Sequence, residues 1–103
     1  MKGLSSEQCV KRMDHVVWKV IKGKGILLNL ENGSYFEVDP VGLAVWKRCN
    51  GKTTFSKIAQ AIAKEFDADL NRVIQDLEEF VGELKRQRMA ELLNKSETVA
   101  VQA

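Results

Sequence analysis

The chain has 103 residues, 16 of them Lys or Arg against 14 Asp or Glu, for a net charge of +2. That length suits one domain with a single core, and the near balance of charge excludes a domain that holds nucleic acid by bulk electrostatics. No apolar run is long enough to cross a bilayer and residues 1–13 lack the apolar segment of a secretory signal, so a cytoplasmic location is expected.

Residues 1–13 show no sustained periodicity and are expected to form a flexible N-terminal arm, followed by one domain over 14–93 and a flexible tail over 94–103. Residues 15–21 alternate Val16, Trp18 and Val20 against Val17, Lys19 and Ile21, and their β-branched content predicts a strand. Gly23-Lys24-Gly25 turns this strand into the next, which starts at Ile26. Asn32-Gly33 between two β-prone runs signals a hairpin. Its loop length follows from register, because a one-residue slip exchanges the face of every side chain. A two-residue loop mixes faces, setting Leu28 opposite Glu37 and Asn29 opposite Phe36. A three-residue loop, Glu31-Asn32-Gly33, sets Leu28 opposite Phe36 and Ile26 opposite Val38. It predicts Ile26, Leu28, Phe36 and Val38 facing inward, with Leu27, Asn29, Tyr35 and Glu37 outside.

Asp39 followed by Pro40 starts a helix, since the carboxylate accepts from first-turn N–H groups and proline suits the first helical position. Val41, Leu43, Ala44, Val45, Trp46 and Cys49 make this helix apolar around much of its circumference, which predicts a central position. Asn50-Gly51 is expected to end it. Thr53 or Thr54 caps a second helix with Phe55, Ile58, Ala59, Ile62, Ala63 and Phe66 at helical spacing. Asp69 caps a third, with Leu70, Val73, Ile74, Leu77, Phe80, Val81 and Leu84 in one stripe. Residues 89–93 either extend that helix or fold back on the domain. The expected fold is α+β and winged-helix-like, a three-stranded antiparallel sheet followed by three helices.

No catalytic constellation emerges from these elements. Cys9 and Cys49 are too far apart for a local metal motif and His15 is the one histidine, so free thiols and no metal or cofactor are expected. His15 with Cys9 lacks a third group and an oxyanion turn. Gly23-Lys24-Gly25 lacks the spacing of a phosphate loop, and Glu78 and Glu79, adjacent on a helix, point apart. A winged helix-turn-helix that binds DNA is the alternative reading. Against it, the third helix begins with Asp69, Asp76, Glu78, Glu79 and Glu83 around a single Arg72, which repels phosphates. Neither nucleic acid nor membrane is expected as a partner.

A binding module remains. An edge strand over 34–38 can accept an extended peptide through its unpaired backbone. Phe80 and Val73, beside Arg72 and Asp76 on one flank of the third helix, can line a groove; on the plainer reading the first two are core and the last two a solvated face. An exposed edge strand also permits strand exchange into a homodimer.

Leu27-Leu28-Asn29, Gly33-Ser34-Tyr35-Phe36, Val38-Asp39-Pro40, Gly42, Trp46, Asn50-Gly51, Thr54 and Ile58, with the spaced apolar positions through Leu84, together resemble the PqqD-like family over residues 17–93. Members serve as recognition elements for ribosomally made, post-translationally modified peptides. The resemblance implies a non-catalytic peptide chaperone that binds the leader of a precursor peptide between the third strand and third helix. It presents the core to a modifying enzyme, often a radical S-adenosylmethionine protein. By position it assigns the strand side to Ser34, Tyr35, Phe36, Glu37 and Val38 and the helix side to Arg72, Val73, Asp76 and Phe80. Members dedicated to pyrroloquinoline quinone carry a Pro-Glu pair after the Leu-Leu run and a shorter connection to the helix. Here Asn29-Leu30-Glu31-Asn32-Gly33 makes a full hairpin, which looks more like domains for other peptide classes, lasso-type peptides among them.

Overall fold

The computed structural model describes residues 7–94. Residues 1–6 of the expected arm and 95–103 of the expected tail lie outside the described residues. In chain order the elements are β1 (Cys9–Arg12), β2 (Val16–Ile21), β3 (Lys24–Asn29), β4 (Tyr35–Val38), α1 (Pro40–Lys47), β5 (Asn50–Thr54), α2 (Phe55–Glu65), α3 (Leu70–Arg86) and β6 (Ala90–Leu93). They form an α+β fold of three helices and two antiparallel three-stranded sheets, ordered β2-β3-β4 and β5-β1-β6.

The second sheet corrects the expected flexible arm at residues 9–12. β1 lies at its centre, pairing Cys9 with Thr54 on one side and with Leu93 on the other. Val10 is fully buried in the core, and the Phe55 N–H donates to the Gln8 carbonyl at 2.7 Å. Asn50-Gly51, expected to end the first helix, instead begins β5, with Gly51 at φ +80. The helix stops earlier, where the Arg48 N–H donates to the Val45 carbonyl and the Cys49 N–H to the Trp46 carbonyl. Four-residue strands such as Cys-Val-Lys-Arg and Ala-Glu-Leu-Leu are too short to display alternation, and their partners lie far away in sequence.

The hairpin holds the other correction. Leu27 pairs with Phe36 and Ile26 with Glu37, and the Asn29 N–H donates to the Ser34 carbonyl at 2.8 Å. The loop is therefore the four residues 30–33, one longer than the turn signal suggested. Leu27 and Asn29 point inward with Phe36 and Val38, while Leu28 is exposed and Ile26 half-buried. The sequence reading fails at Asn29, which it treats as a solvent-facing polar residue. Asn29 is 0 % exposed and spends its side chain on four contacts. Its amide donates to the carbonyls of Gln87 at 2.9 Å and Arg88 at 3.2 Å, and its oxygen accepts from the N–H groups of Glu31 at 2.8 Å and Asn32 at 3.4 Å. A buried amide satisfied in this way costs little and fixes geometry. It folds the loop and ties it to the end of α3.

Three helix starts follow the capping residues. Asp39 accepts from the Gly42 N–H at 2.7 Å, Thr54 from Lys57 at 3.3 Å and Asp69 from Arg72 at 3.0 Å. α1 is central, as its composition predicts: Trp46, Val45, Leu43 and Ala44 are buried among Ile58 and Ile62 of α2 and Val73, Leu77, Val81 and Leu84 of α3. Gly25 lets α1 sit down on β3, because a Cβ there would lie 2.8 Å from Leu43 Cδ1 and from Val38 Cγ2. Among the described residues no helix is long and apolar enough to cross a membrane.

Candidate functional site

β4 is an edge strand: it pairs with β3, and no other described strand pairs with it. Bonded pairs alternate along an antiparallel ladder. With Asn29 bonded to Ser34, the bonded pairs continue as Leu27–Phe36 and Gly25–Val38. Tyr35 and Glu37 consequently turn their N–H and C=O groups away from β3 to the open edge. Their side chains face outward as well, Tyr35 being 71 % exposed.

Beside this edge the inner side chains of β4 meet α1 and α3 in a cleft of about 730 Å³. Phe36 and Phe80 stack across it, ring centroids 6.2 Å apart and planes inclined by 20°, in the range favoured by offset aromatic pairs. Val41, Gly42 and Val45 of α1 complete an apolar lining, and Asp39, Asp76, Glu78, Glu79, Glu83 and Arg86 supply a mostly acidic rim. Gly42 is what allows helix and ring to close together: a Cβ there would lie 3.1 Å from Val38 Cβ and 3.6 Å from Phe80 Cζ.

The rim charges differ in how far they are already engaged. Glu83 accepts from Gln87 at 2.9 Å and from Arg86, and these two hydrogen bonds hold its carboxyl below the usual range. Asp76 lies 3.8 Å from Arg72, an exposed i,i+4 pair of small energetic weight. Asp39 is occupied by its cap.

Of the residues named from sequence, the structure brings Phe36, Asp76 and Phe80 together at the cleft. Val73 is core, Arg72 projects into solvent, and neither lines the cleft. Val38 is also buried, and Ser34 spends its hydroxyl and N–H on Asn32 within the loop. The α1 wall was missed. Its one legible signal was Gly42, a glycine in the first turn of a helix where alanine costs less. Glu79 and Glu83 were read as charges hostile to DNA rather than as a rim.

Among the described residues, the other groups singled out from the sequence are already engaged or buried. His15 Nε2–H donates to the Arg88 carbonyl, 2.9 Å away, and Cys9 and Cys49 are free, buried thiols. Cys49 donates to the Val45 carbonyl at 3.2 Å, and burial pushes its pKa up to about 12 despite nearby Arg12. A thiol held neutral is a poor nucleophile.

Comparison with known proteins follows the same line. Residues 24–90 match the family described as Coenzyme PQQ synthesis protein D. A PqqA binding protein of Rhizobium meliloti (strain 1021) is 30% identical over 73 residues, 71% of this chain and 72% of that protein. A PqqA binding protein of Xanthomonas campestris pv. campestris (strain B100) is 36% identical over 56 residues, 54% of this chain and 61% of that protein. Among solved structures, TbiB1 in complex with the TbiA(beta) leader peptide is similar with a TM-score of 0.72 and 32% identity, over 79% of this chain and 94% of that one. Lasso peptide synthetase B1 complexed with the leader peptide has a TM-score of 0.71 at 17% identity, over 80% of this chain and 96% of that one, a likeness of fold. The chain belongs to the family of coenzyme PQQ synthesis protein D.

Proposed function

We propose that this domain binds the leader of a ribosomally made precursor peptide as an added strand on β4 and presents the rest of that peptide to a modifying enzyme. The observation that carries the reading is the coincidence of an open backbone edge with a side-chain cleft. Tyr35 and Glu37 offer hydrogen bonds that fix an extended chain beside β4. An added strand alternates its side chains, so every second residue enters the cleft over Phe36 and Phe80 while the others stay with Tyr35 in solvent. Backbone pairing supplies attachment and the cleft supplies choice. Relatives called PqqA binding proteins and the TbiB1–leader complex support a peptide as the ligand.

In this reading the domain performs no chemistry of its own and works in the cytoplasm, where precursors are made. Its enzyme partner is of the radical S-adenosylmethionine class or another peptide maturase. The peptide site comprises Tyr35, Phe36 and Glu37 on the strand and Val41, Gly42, Asp76, Glu79 and Phe80 on the helices, with Ser34, Val38, Arg72 and Val73 as its flanks and support. The working unit includes β1 and β6 and so extends beyond 14–93 at its N-terminal side.

Amide-resolved titration of the labelled protein with its cognate precursor peptide tests this. Expected are slowed exchange at the Tyr35 and Glu37 amides and shifts at Gly42 and Phe80. Binding with shifts confined to β5 or α2 overturns the site, and no binding overturns the function.

A further inference from the structure

β2 is the second open edge of the same sheet, and its exposed surface is much more apolar than that of β4. Within Val16–Ile21, the side chains of Val17, Trp18, Val20 and Ile21 are 39 to 48 % exposed, and no described strand covers the edge. Such a strand, apolar on both faces, pairs with another edge unless something blocks it. Lys19 is the one charge along it.

The ladder fixes which groups are on offer. The Leu30 N–H donates to the His15 carbonyl at 2.9 Å, so the pairs bonded to β3 continue as Val17–Leu28 and Lys19–Ile26. Val16, Trp18 and Val20 therefore turn their backbone groups outward. The Val16 N–H is taken by the Met13 carbonyl at 3.2 Å, which leaves the Val16 carbonyl and both groups of Trp18 and Val20.

We infer that β2 is a self-association edge, on which a second copy of this chain pairs antiparallel about a two-fold axis at Trp18. In that register Trp18 exchanges bonds with the partner's Trp18, and the Val20 N–H meets the partner's Val16 carbonyl. Lys19 falls opposite the partner's Val17, so the two Lys19 ammonium groups avoid each other, whereas pairing centred one residue later sets them face to face. The same register brings the Asp14 end of one strand against the partner's Lys22, an opposite-charge match made twice by symmetry. Both residues are exposed. The contact is isologous and stops at two chains. It yields a continuous six-stranded sheet whose two outer edges are both β4, left open.

Sedimentation velocity across a micromolar concentration series, with tryptophan emission read in parallel, tests the inference on the full chain alone. Trp46 is already fully buried, so a blue shift that grows with concentration reports Trp18. Val20→Pro deletes an outward N–H without removing a bond to β3 and is expected to weaken the dimer at least about tenfold. Trp18→Lys should do the same while far-UV circular dichroism stays unchanged. Lys22→Asp alone weakens the dimer, and Asp14→Lys with Lys22→Asp restores it, which a different partner or register does not reproduce. A chain that stays monomeric at every concentration overturns the inference. So does a dimer indifferent to Val20→Pro and Trp18→Lys, or one dispersed by a peptide occupying β4.

Discussion

The two open edges of the hairpin sheet have the same backbone chemistry and different surroundings. β4 runs beside a cleft where Phe36 and Phe80 stack and Asp76 and Glu79 stand at the rim. β2 has apolar side chains on both faces, and none of its residues lines the cleft beside β4. An edge with a wall can test the side chains of what it pairs with, whereas a bare edge accepts flat, apolar, self-similar sequence. In the proposed strand addition, selectivity would come from the helices beside the strand.

The largest expected effect removes both edges together. Leu27 sits at the middle of the shared strand and is 0 % exposed, and Leu27→Ala should cost about 2–5 kcal/mol by urea unfolding, lowering leader binding and self-association in parallel. Asn29→Leu comes next, at about 1–3 kcal/mol for each buried group left without a partner. It frees the loop from Gln87 and Arg88 and should speed hydrogen exchange at Glu31 and Asn32.

Two substitutions then separate the edges. Phe80→Ala removes an aromatic wall of the cleft, so calorimetry should record leader binding weakened by about tenfold, roughly 1.4 kcal/mol, with the sedimentation pattern unaltered. Phe36→Asp should damage folding because Phe36 packs against the core, while Tyr35→Ala, outside it, should spare the thermal midpoint and weaken only the peptide. Equal thermal losses for Phe36→Asp and Tyr35→Ala would contradict the assignment of faces.

The smallest effects are those of pH. Glu83 has a lowered carboxyl pKa, so it contributes stability that is complete above the unfolded value of about 4.3 and is lost as pH falls through the folded one. Glu83→Gln should slightly flatten the acid limb of the stability curve. Cys49 acts in the opposite sense. With its pKa raised to about 12, it favours the neutral native form up to the unfolded value of about 8.5 and loses that contribution as pH climbs toward 12. Ellman's reagent should therefore react slowly with the native protein at pH 8 and promptly after unfolding.

Legibility in the sequence tracked the range over which each element is decided. Caps at Asp39, Thr54 and Asp69 and the stripes of α2 and α3 depend on neighbours within a turn or two, and they were readable. The hairpin was readable as a hairpin but not in register, because apolar residues at both Leu27 and Leu28 leave the face ambiguous and the deciding residue, Asn29, is buried by partners 58 and 59 positions away. β1 and β6 stayed invisible for the same reason. At the site, Phe36 and Phe80 could be found from patterning, but the wall made by Val41 and Val45 depends on how α1 settles over Gly25.

The pairing of Cys9 with Leu93 in β1 and β6 bears on architecture beyond this chain. Where a domain's way in and way out run antiparallel side by side, a host protein can take up the entire unit at one surface loop without prising its own halves apart. Such an insertion would leave the β4 edge and its cleft unchanged, so the strand order makes the unit compatible with insertion into a longer chain.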